Sequence, residues 1–238
     1  MINNHAWAES PVVLTVSAAS SLTNAFKEMA SVFEEEHKAI KIQFNFAASG
    51  QLLQQIAKGA PVDVFASADQ ETMDMAQVKS LIDVRSRVNF TVNTLVLIVP
   101  KSAKPIPLDL DDLLKNNYQK IAIGLPASVP VGRYTQQVLD KHHLWQMIEP
   151  KMIAAQNVRQ VLDYVARGEV DAGFVYATDV LVSSRVQVAF VVPTEKKILY
   201  PVAMVRASSH EQEVRQFLAF MSSSSAQAIL TKYGFGKL

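Results

Sequence analysis

From Val12 onward, short apolar runs alternate with segments of helical period, and that alternation confines the chain to an α/β architecture. A strand over 12–16 leads into a helix over 22–37, where Leu22, Ala25, Phe26, Met29, Ala30 and Phe33 fall on one face. Next, Ile40, Ile42, Phe44 and Phe46 alternate with polar residues, the mark of a half-buried strand. A helix over 51–58 stops at Gly59, and a strand over 62–66 and a helix over 70–79 follow. The spacing predicts further strands over 120–123 and 172–176 and within 183–192. It predicts helices over 108–114, 131–143, 158–167, 210–220 and 222–233, with Asn157 placed to cap the helix from Val158. Strands joined through helices pair in parallel, so mostly parallel sheets flanked by helices are expected.

Two segments stand out from this alternation. Residues 90–99 and 197–205 read as long strands, and paired antiparallel they would bracket everything between them as an inserted unit. The expected organisation is two lobes, 11–89 plus 200–238 and 90–199, joined by a two-strand hinge. Residues 1–10 are polar and patternless, which reads as disorder. Within them Ala6-Trp7-Ala8 has the small-x-small form of a signal-peptidase site, so this stretch is read as the remnant of a trimmed export signal.

Composition excludes several classes. The 238 residues carry 23 basic and 22 acidic side chains for a net charge of +1, without the positive field that nucleic-acid binding needs. The absence of cysteine removes thiol catalysis, disulfides and cysteine-ligated zinc. No stretch approaches the roughly 18 apolar residues of a membrane-spanning helix. His142 and His143 are adjacent on a helix and cannot share a metal as an i, i+4 pair would. His37 ends a helix, and His5 and His210 read as surface residues, so a cation site is not expected.

Four junctions share one form, a helix starting just after a strand or loop, at Ser21, Ser49, Val131 and Val158. Each has a plain structural use: Ser21, for example, is placed to cap its helix. Together they also describe an anion site, because free amides, hydroxyls and the positive ends of helix dipoles would point at one spot. Tyr176 closes a buried strand, where its hydroxyl needs either a backbone partner or a ligand. Ser49 lacks the flanks of a Gly-x-Ser-x-Gly nucleophile elbow and has no base nearby. Asp63, Asp69, Asp171 and Asp179 read as caps and turn residues. Arg133 and Arg159 follow the proposed amide donors closely, but helical geometry turns them aside, towards ion pairs around the site or on the surface.

These residues carry a resemblance to the periplasmic molybdate-binding proteins of ABC importers. It runs from about Val13 to Phe235, through Ala18-Ala19-Ser20-Ser21-Leu22-Thr23, Ala47-Ala48-Ser49-Gly50, Gly59-Ala60-Pro61-Val62-Asp63-Val64-Phe65-Ala66-Ser67-Ala68-Asp69, Val129-Pro130-Val131-Gly132-Arg133-Tyr134, Asn157-Val158-Arg159, Val175-Tyr176, Tyr200-Pro201-Val202-Ala203 and Tyr233-Gly234-Phe235. The resemblance implies a two-lobed type II periplasmic-binding-protein fold with the oxyanion held in the cleft, without a cation. By motif position it implies hydroxyl donors at Ser21 and Ser49, backbone amide donors at Val131 and Val158, and a phenol donor at Tyr176. The implied ligand is molybdate or tungstate, with no cofactor and no catalysis. The implied partner is an ABC permease at the inner membrane, and the implied protein is a periplasmic monomer.

The chain departs from the family pattern in three places. Ser20 replaces the third alanine that often precedes the Ser-Leu pair. Val131 is bulkier than the alanine associated with that position. Gly50 follows Ser49 where another serine can stand, which removes one possible hydroxyl. Two other readings remain at this level: the same architecture binding sulfate, chromate or phosphate, and an α/β enzyme using Asp63 or Asp171 with Ser49.

Overall fold

The computed structural model describes residues 10–238, so the proposed signal remnant lies outside the described residues except for Ser10. The chain opens with β1 (Val12–Ala19), and a 3-10 turn, Ser20–Leu22, connects it to α1 (Thr23–Glu36). β2 (Ile40–Ala47) lies parallel beside β1, with Val12 opposite Ile40 and Ala19 opposite Ala47. α2 (Ser49–Ala57) leads to β3 (Val64–Ala66), parallel to β1, and then to α3 (Gln70–Val78). β4 (Val88–Asn93) and β5 (Leu95–Pro100) follow, with Thr94 alone between them. The next stretch holds β6 (Ile121–Gly124), α4 (Pro130–Lys141), the short α5 (Trp145–Ile148), β7 (Met152–Ala155) and α6 (Val158–Ala166). β8 (Ala172–Tyr176), the short α7 (Ala177–Val180) and β9 (Val186–Val191) complete it. β10 (Ile198–Met204), α8 (Glu211–Met221) and α9 (Ser224–Lys232) end the chain.

The strands form two five-stranded sheets, ordered β2-β1-β3-β10-β4 and β7-β6-β8-β5-β9, each flanked by helices. This is the expected two-lobed α/β arrangement of mostly parallel sheets flanked by helices. Each sheet carries one reversed strand, which makes it mixed: β10 runs against β3 and β4, and β5 runs against β8 and β9. The physical reason is the pair of crossings between lobes. A strand that enters a sheet directly from the other lobe, without a covering helix, has no crossover to align it in parallel.

The expected strand over 90–99 is two strands in two sheets. Its first part, β4, pairs antiparallel with β10, Ile198 opposite Asn93, whereas β5 pairs with β8 and β9. By sheet membership the first lobe runs to Asn93 and resumes at Ile198, which moves the expected divisions at 89/90 and 199/200 by a few residues. The expected helix over 108–114 is only a 3-10 turn, Asp111–Leu114, and β7 had no expectation at all.

Alternation along the strands sorts the first lobe into two layers. On β3, Val64 and Ala66 join Phe26, Met29, Phe33 and Phe217 of α1 and α8, whereas Phe65 turns to Leu52, Ile56 and Met73 of α2 and α3. β10 repeats this, with Val202 and Met204 on one face and Ala203 on the other. Burying each large apolar side chain contributes about 1.5–3 kcal/mol, so both faces of the sheet must be covered. Helix starts at the ends of these strands then face the other lobe.

Candidate functional site

The five residues singled out by sequence line one cavity between the sheets, with about 200 Å³ of empty space. Ser21, Ser49, Val131, Val158 and Tyr176 are all buried. The rest of the lining is small or apolar, including Ala19, Ala48, Ala68 and Val129. No lining residue carries a charged side chain.

Ser49 is the first residue of α2, and its Oγ accepts the Ala68 amide at 3.0 Å. An amide N–H only donates, so the Ser49 proton is left for another acceptor. Val131 occupies the second position of α4, just after Pro130, and Val158 the first position of α6. Amides at these positions have no acceptor within their own helix. Asn157 caps α6 as expected, its side chain accepting the Gln160 amide at 3.0 Å, which leaves the Val158 amide free of that cap. The Tyr176 hydroxyl, at the end of β8, is buried with no hydrogen-bond partner among the described residues. Burial holds that phenol well above its usual pKa, so it stays protonated. An unpaired buried hydroxyl costs about 1–3 kcal/mol, which an acceptor in the cavity would recover.

Ser21 departs from the expectation of a helix cap. It sits inside the 3-10 turn, Leu22 is the N-cap of α1, and no side chain caps that helix. The Ser21 hydroxyl instead meets the Tyr200 hydroxyl at 3.0 Å. The sequence held Tyr200 only as part of a motif. The return of this segment to the first lobe was expected, but its contact with Ser21 depends on how β10 sits beside β3, which no local pattern reveals.

Both arginines form ion pairs, and both reach across the cleft. Arg133, on α4, donates Nε and Nη2 to Asp69 Oδ2 at 2.9 and 2.7 Å, and Nη2 also meets Thr72 Oγ1 at 2.6 Å. Asp69 caps α3 in the first lobe, as its turn position suggested, and both side chains are buried. Arg159 Nη2 donates to the Ser21 carbonyl at 3.3 Å. Its Nε stands 2.9 Å from Asp179 Oδ1 but off the hydrogen-bond direction, so that contact is an ion pair only. A backbone bond, Gly50 N–H to Ser128 O at 3.0 Å, adds a third bridge between lobes.

Burial raises the Asp179 carboxyl to about 6, against the lowering effects of Arg159 and the Tyr176 amide. An unfolded aspartate titrates near ~3.9, so the folded chain holds the extra proton between these values. The protonated side chain therefore contributes stability below about pH 4, and that contribution is lost as the pH rises through about 6. Thermal unfolding of wild type and Asp179→Asn across pH 4–7.5 should show wild type losing ground to the variant over that window. A pH-independent difference would contradict it.

The other candidates are placed elsewhere. Asp63 accepts the Thr15 amide at 2.8 Å, Ser208 Oγ at 2.6 Å and His210 Nδ1 at 3.1 Å, lining a separate groove. His210, read as a surface residue, is thus tied to Asp63. Asp171 accepts the Gln119 and Lys120 amides, each at 2.8 Å. Neither aspartate is bonded to Ser49, whose hydroxyl meets only the Ala68 amide among the described residues. Among the described residues no group of three or more His, Asp or Glu side chains is placed to hold a cation, and no helix is long and apolar enough to cross a membrane.

The bacterial extracellular solute-binding protein family model matches residues 14–236. The chain is 36% identical over 230 residues to a putative ABC transporter substrate-binding lipoprotein, YvgL, of Bacillus subtilis, covering 96% of this chain and 88% of that protein. It is also 36% identical over 230 residues to the molybdate-binding protein ModA of Escherichia coli, covering 93% of this chain and 88% of that one. Among solved structures it resembles the substrate binding domain of a putative molybdenum ABC transporter from Clostridium difficile. The TM-score is 0.72 and the identity 33%, over 95% of this chain and 99% of that one.

Proposed function

The chain belongs to the family of bacterial extracellular solute-binding proteins, and we propose that it captures molybdate, and tungstate with it, and delivers the anion to an ABC permease. The family's role is binding, and we read the site as one that does no chemistry on its ligand. The observation that carries the proposal is the Tyr176 hydroxyl, buried and unpartnered at a cavity with no charged lining. Similarity to a molybdate-binding protein supports the choice of anion.

In this reading Ser21, Ser49 and Tyr176 give hydroxyl protons, and Val131 and Val158 give amide protons. The helix dipoles of α2, α4 and α6 add to the same field. Hydrogen bonds to a charged acceptor contribute about 1.5–3 kcal/mol each, so a handful holds a dianion without a countercharge. Hydrogen phosphate is rejected because its proton meets only donors and stays unpaired, at about 1–3 kcal/mol. Sulfate has no such proton, so size alone separates it from molybdate. Donors come from both lobes, so the anion binds the closed form better than the open one, and that difference drives closure. We place the protein in the periplasm, as a monomer that docks on the permease in its closed form.

A thermal-shift panel of molybdate, tungstate, sulfate, chromate and phosphate tests the ligand. A shift with sulfate and none with molybdate at equal concentration would overturn the assignment. Ser49→Ala and Ser21→Ala should each weaken molybdate binding by about 1–3 kcal/mol in calorimetry. Unchanged affinity in both variants would move the site elsewhere.

A further inference from the structure

The contact between Ser21 Oγ and Tyr200 Oη, 3.0 Å long, can run in either direction by itself. Asn93 decides it. Asn93 Oδ1 accepts the Thr94 backbone N–H at 2.9 Å, and a backbone N–H cannot face an NH2 group, so the amide orientation is settled. Asn93 Nδ2 then donates to Tyr200 Oη at 3.2 Å and to Thr178 Oγ1 at 2.9 Å. The Tyr200 oxygen is an acceptor for Asn93, and the only acceptor bonded to it among the described residues is Ser21 Oγ. Were Ser21 the donor, the Tyr200 proton would be buried with nowhere to go, at about 1–3 kcal/mol. The direction is therefore Asn93 to Tyr200 to Ser21, and the Ser21 proton is left to face the cavity.

We infer that Tyr200 and Asn93 are positioning residues that hold the Ser21 hydroxyl as a donor towards the bound anion. This rests on the reading of Ser21 as a ligand donor. The Tyr200 ring is fully buried and meets Phe90, Tyr176 and Phe235 edge-on, which leaves its hydroxyl no freedom to swing. Burial also keeps the phenol protonated, far above its usual range. Successive bonds of one direction polarise each other and strengthen the last donor. The chain of bonds is anchored where the backbone crosses between sheets: Asn93 ends β4, Tyr200 lies on β10, and Thr178 belongs to α7 beyond the crossing. Ser49 is set in the same sense by the Ala68 amide, so both serines have a lone pair filled from inside and a proton left over.

The test is calorimetry with molybdate and with inorganic phosphate on wild type, Ser21→Ala, Tyr200→Phe, the double variant and Asn93→Asp, with unfolding temperatures measured alongside. Tyr200→Phe should weaken molybdate about 5–20-fold in wild type and make less than a twofold difference in the Ser21→Ala background. Freed of its fixed direction, Ser21 can offer a lone pair to a protonated anion, so the phosphate-to-molybdate affinity ratio should rise several-fold in Tyr200→Phe. In Asn93→Asp the carboxylate accepts a hydrogen bond from the Tyr200 hydroxyl, whose oxygen then accepts from Ser21, so the chain is reversed and the ratio should rise at least as far. A merely structural defect would weaken both anions together and leave the ratio unchanged. Equal losses from Tyr200→Phe in both backgrounds, or no loss where Ser21→Ala does lose affinity, would overturn the inference. Wild-type affinity in Ser21→Ala would overturn the Ser21 donor reading itself, and this inference with it.

Discussion

Gly50→Ala is expected to weaken molybdate binding by about ten- to a hundredfold while leaving the unliganded protein as stable as before, or slightly more so. A Cβ at this position would lie 2.6 Å from Ser128 O and 2.8 Å from Ser128 Cα, and both are backbone atoms that cannot rotate away. Forcing an extra carbon into such a contact costs about 1–3 kcal/mol. The contact exists only when the lobes approach, because Gly50 lies on α2 in the first lobe and Ser128 precedes α4 in the second. Opening the cleft relieves it completely. Gly50 takes no left-handed conformation, and alanine in a helix is favoured over glycine by about 0.5–1 kcal/mol, so the isolated lobe gains rather than loses. The variant should therefore hold the cleft ajar and break or stretch the 3.0 Å bond from the Gly50 amide to Ser128 O. Calorimetry and ligand-induced thermal shift check this together. Wild-type affinity in Gly50→Ala would show that closure does not bring these backbones as near as the structure has them.

Asp69→Asn is expected to cost a comparable amount of affinity by a different route. Arg133 gives two hydrogen bonds to Asp69 Oδ2, with a third to Thr72 Oγ1 and a fourth to the Pro126 carbonyl at 3.0 Å. Removing one partner of a buried ion pair typically costs about 3–5 kcal/mol, because the other charge stays desolvated. Here that figure is an upper bound, since the guanidinium regains water when the lobes separate. The loss falls on closure, and so on molybdate affinity rather than on folding. Asparagine keeps an oxygen for the Thr72 amide that Asp69 Oδ1 caps at 3.3 Å, so α3 retains its cap. Asp69→Ala would lose the cap as well, by about 1 kcal/mol, and should lower the unliganded melting temperature too. Adding Arg133→Met to Asp69→Asn removes the stranded charge and should recover part of the lost affinity. If the double variant bound no better than Asp69→Asn, the unpaired charge would not be the cause.

Much of the fold was legible because local periodicity reports local structure. The face of α1 holding Ala25, Phe26, Met29, Ala30 and Phe33 is buried as its spacing required. Asn157 caps α6, and the phenol of Tyr176 ends a buried strand. The break at Thr94 was not legible. Residues 88–93 and 95–100 have one continuous strand-like composition, and only their partners, β10 on one side and β8 and β9 on the other, divide them. The antiparallel pairing of β4 with β10 was expected from the two long strands, but the direction of β5 against β8 and β9 was not, since it follows from where the chain crosses between lobes. Gly50 shows the limit most sharply. In the sequence it is a missing hydroxyl; in the folded chain it is where α2 meets the Ser128 backbone before α4.

What the sequence by itself determined is which groups stand at helix starts and strand ends. Ser21, Ser49, Val131, Val158 and Tyr176 owe their candidacy to neighbours a few residues away, and short-range geometry makes such positions donor-rich whatever the rest of the chain does. What only the tertiary structure decided is how those donors point and what holds them together. The Ser21 hydroxyl does not cap its helix and instead meets Tyr200, 179 residues on. Arg133 and Asp69, separated by 64 residues, pair across the cleft instead of on the surface. Hydrogen-bond direction and ion pairing depend on which groups meet, and for Ser21 and Asp69 the partners, Tyr200 and Arg133, are remote in sequence.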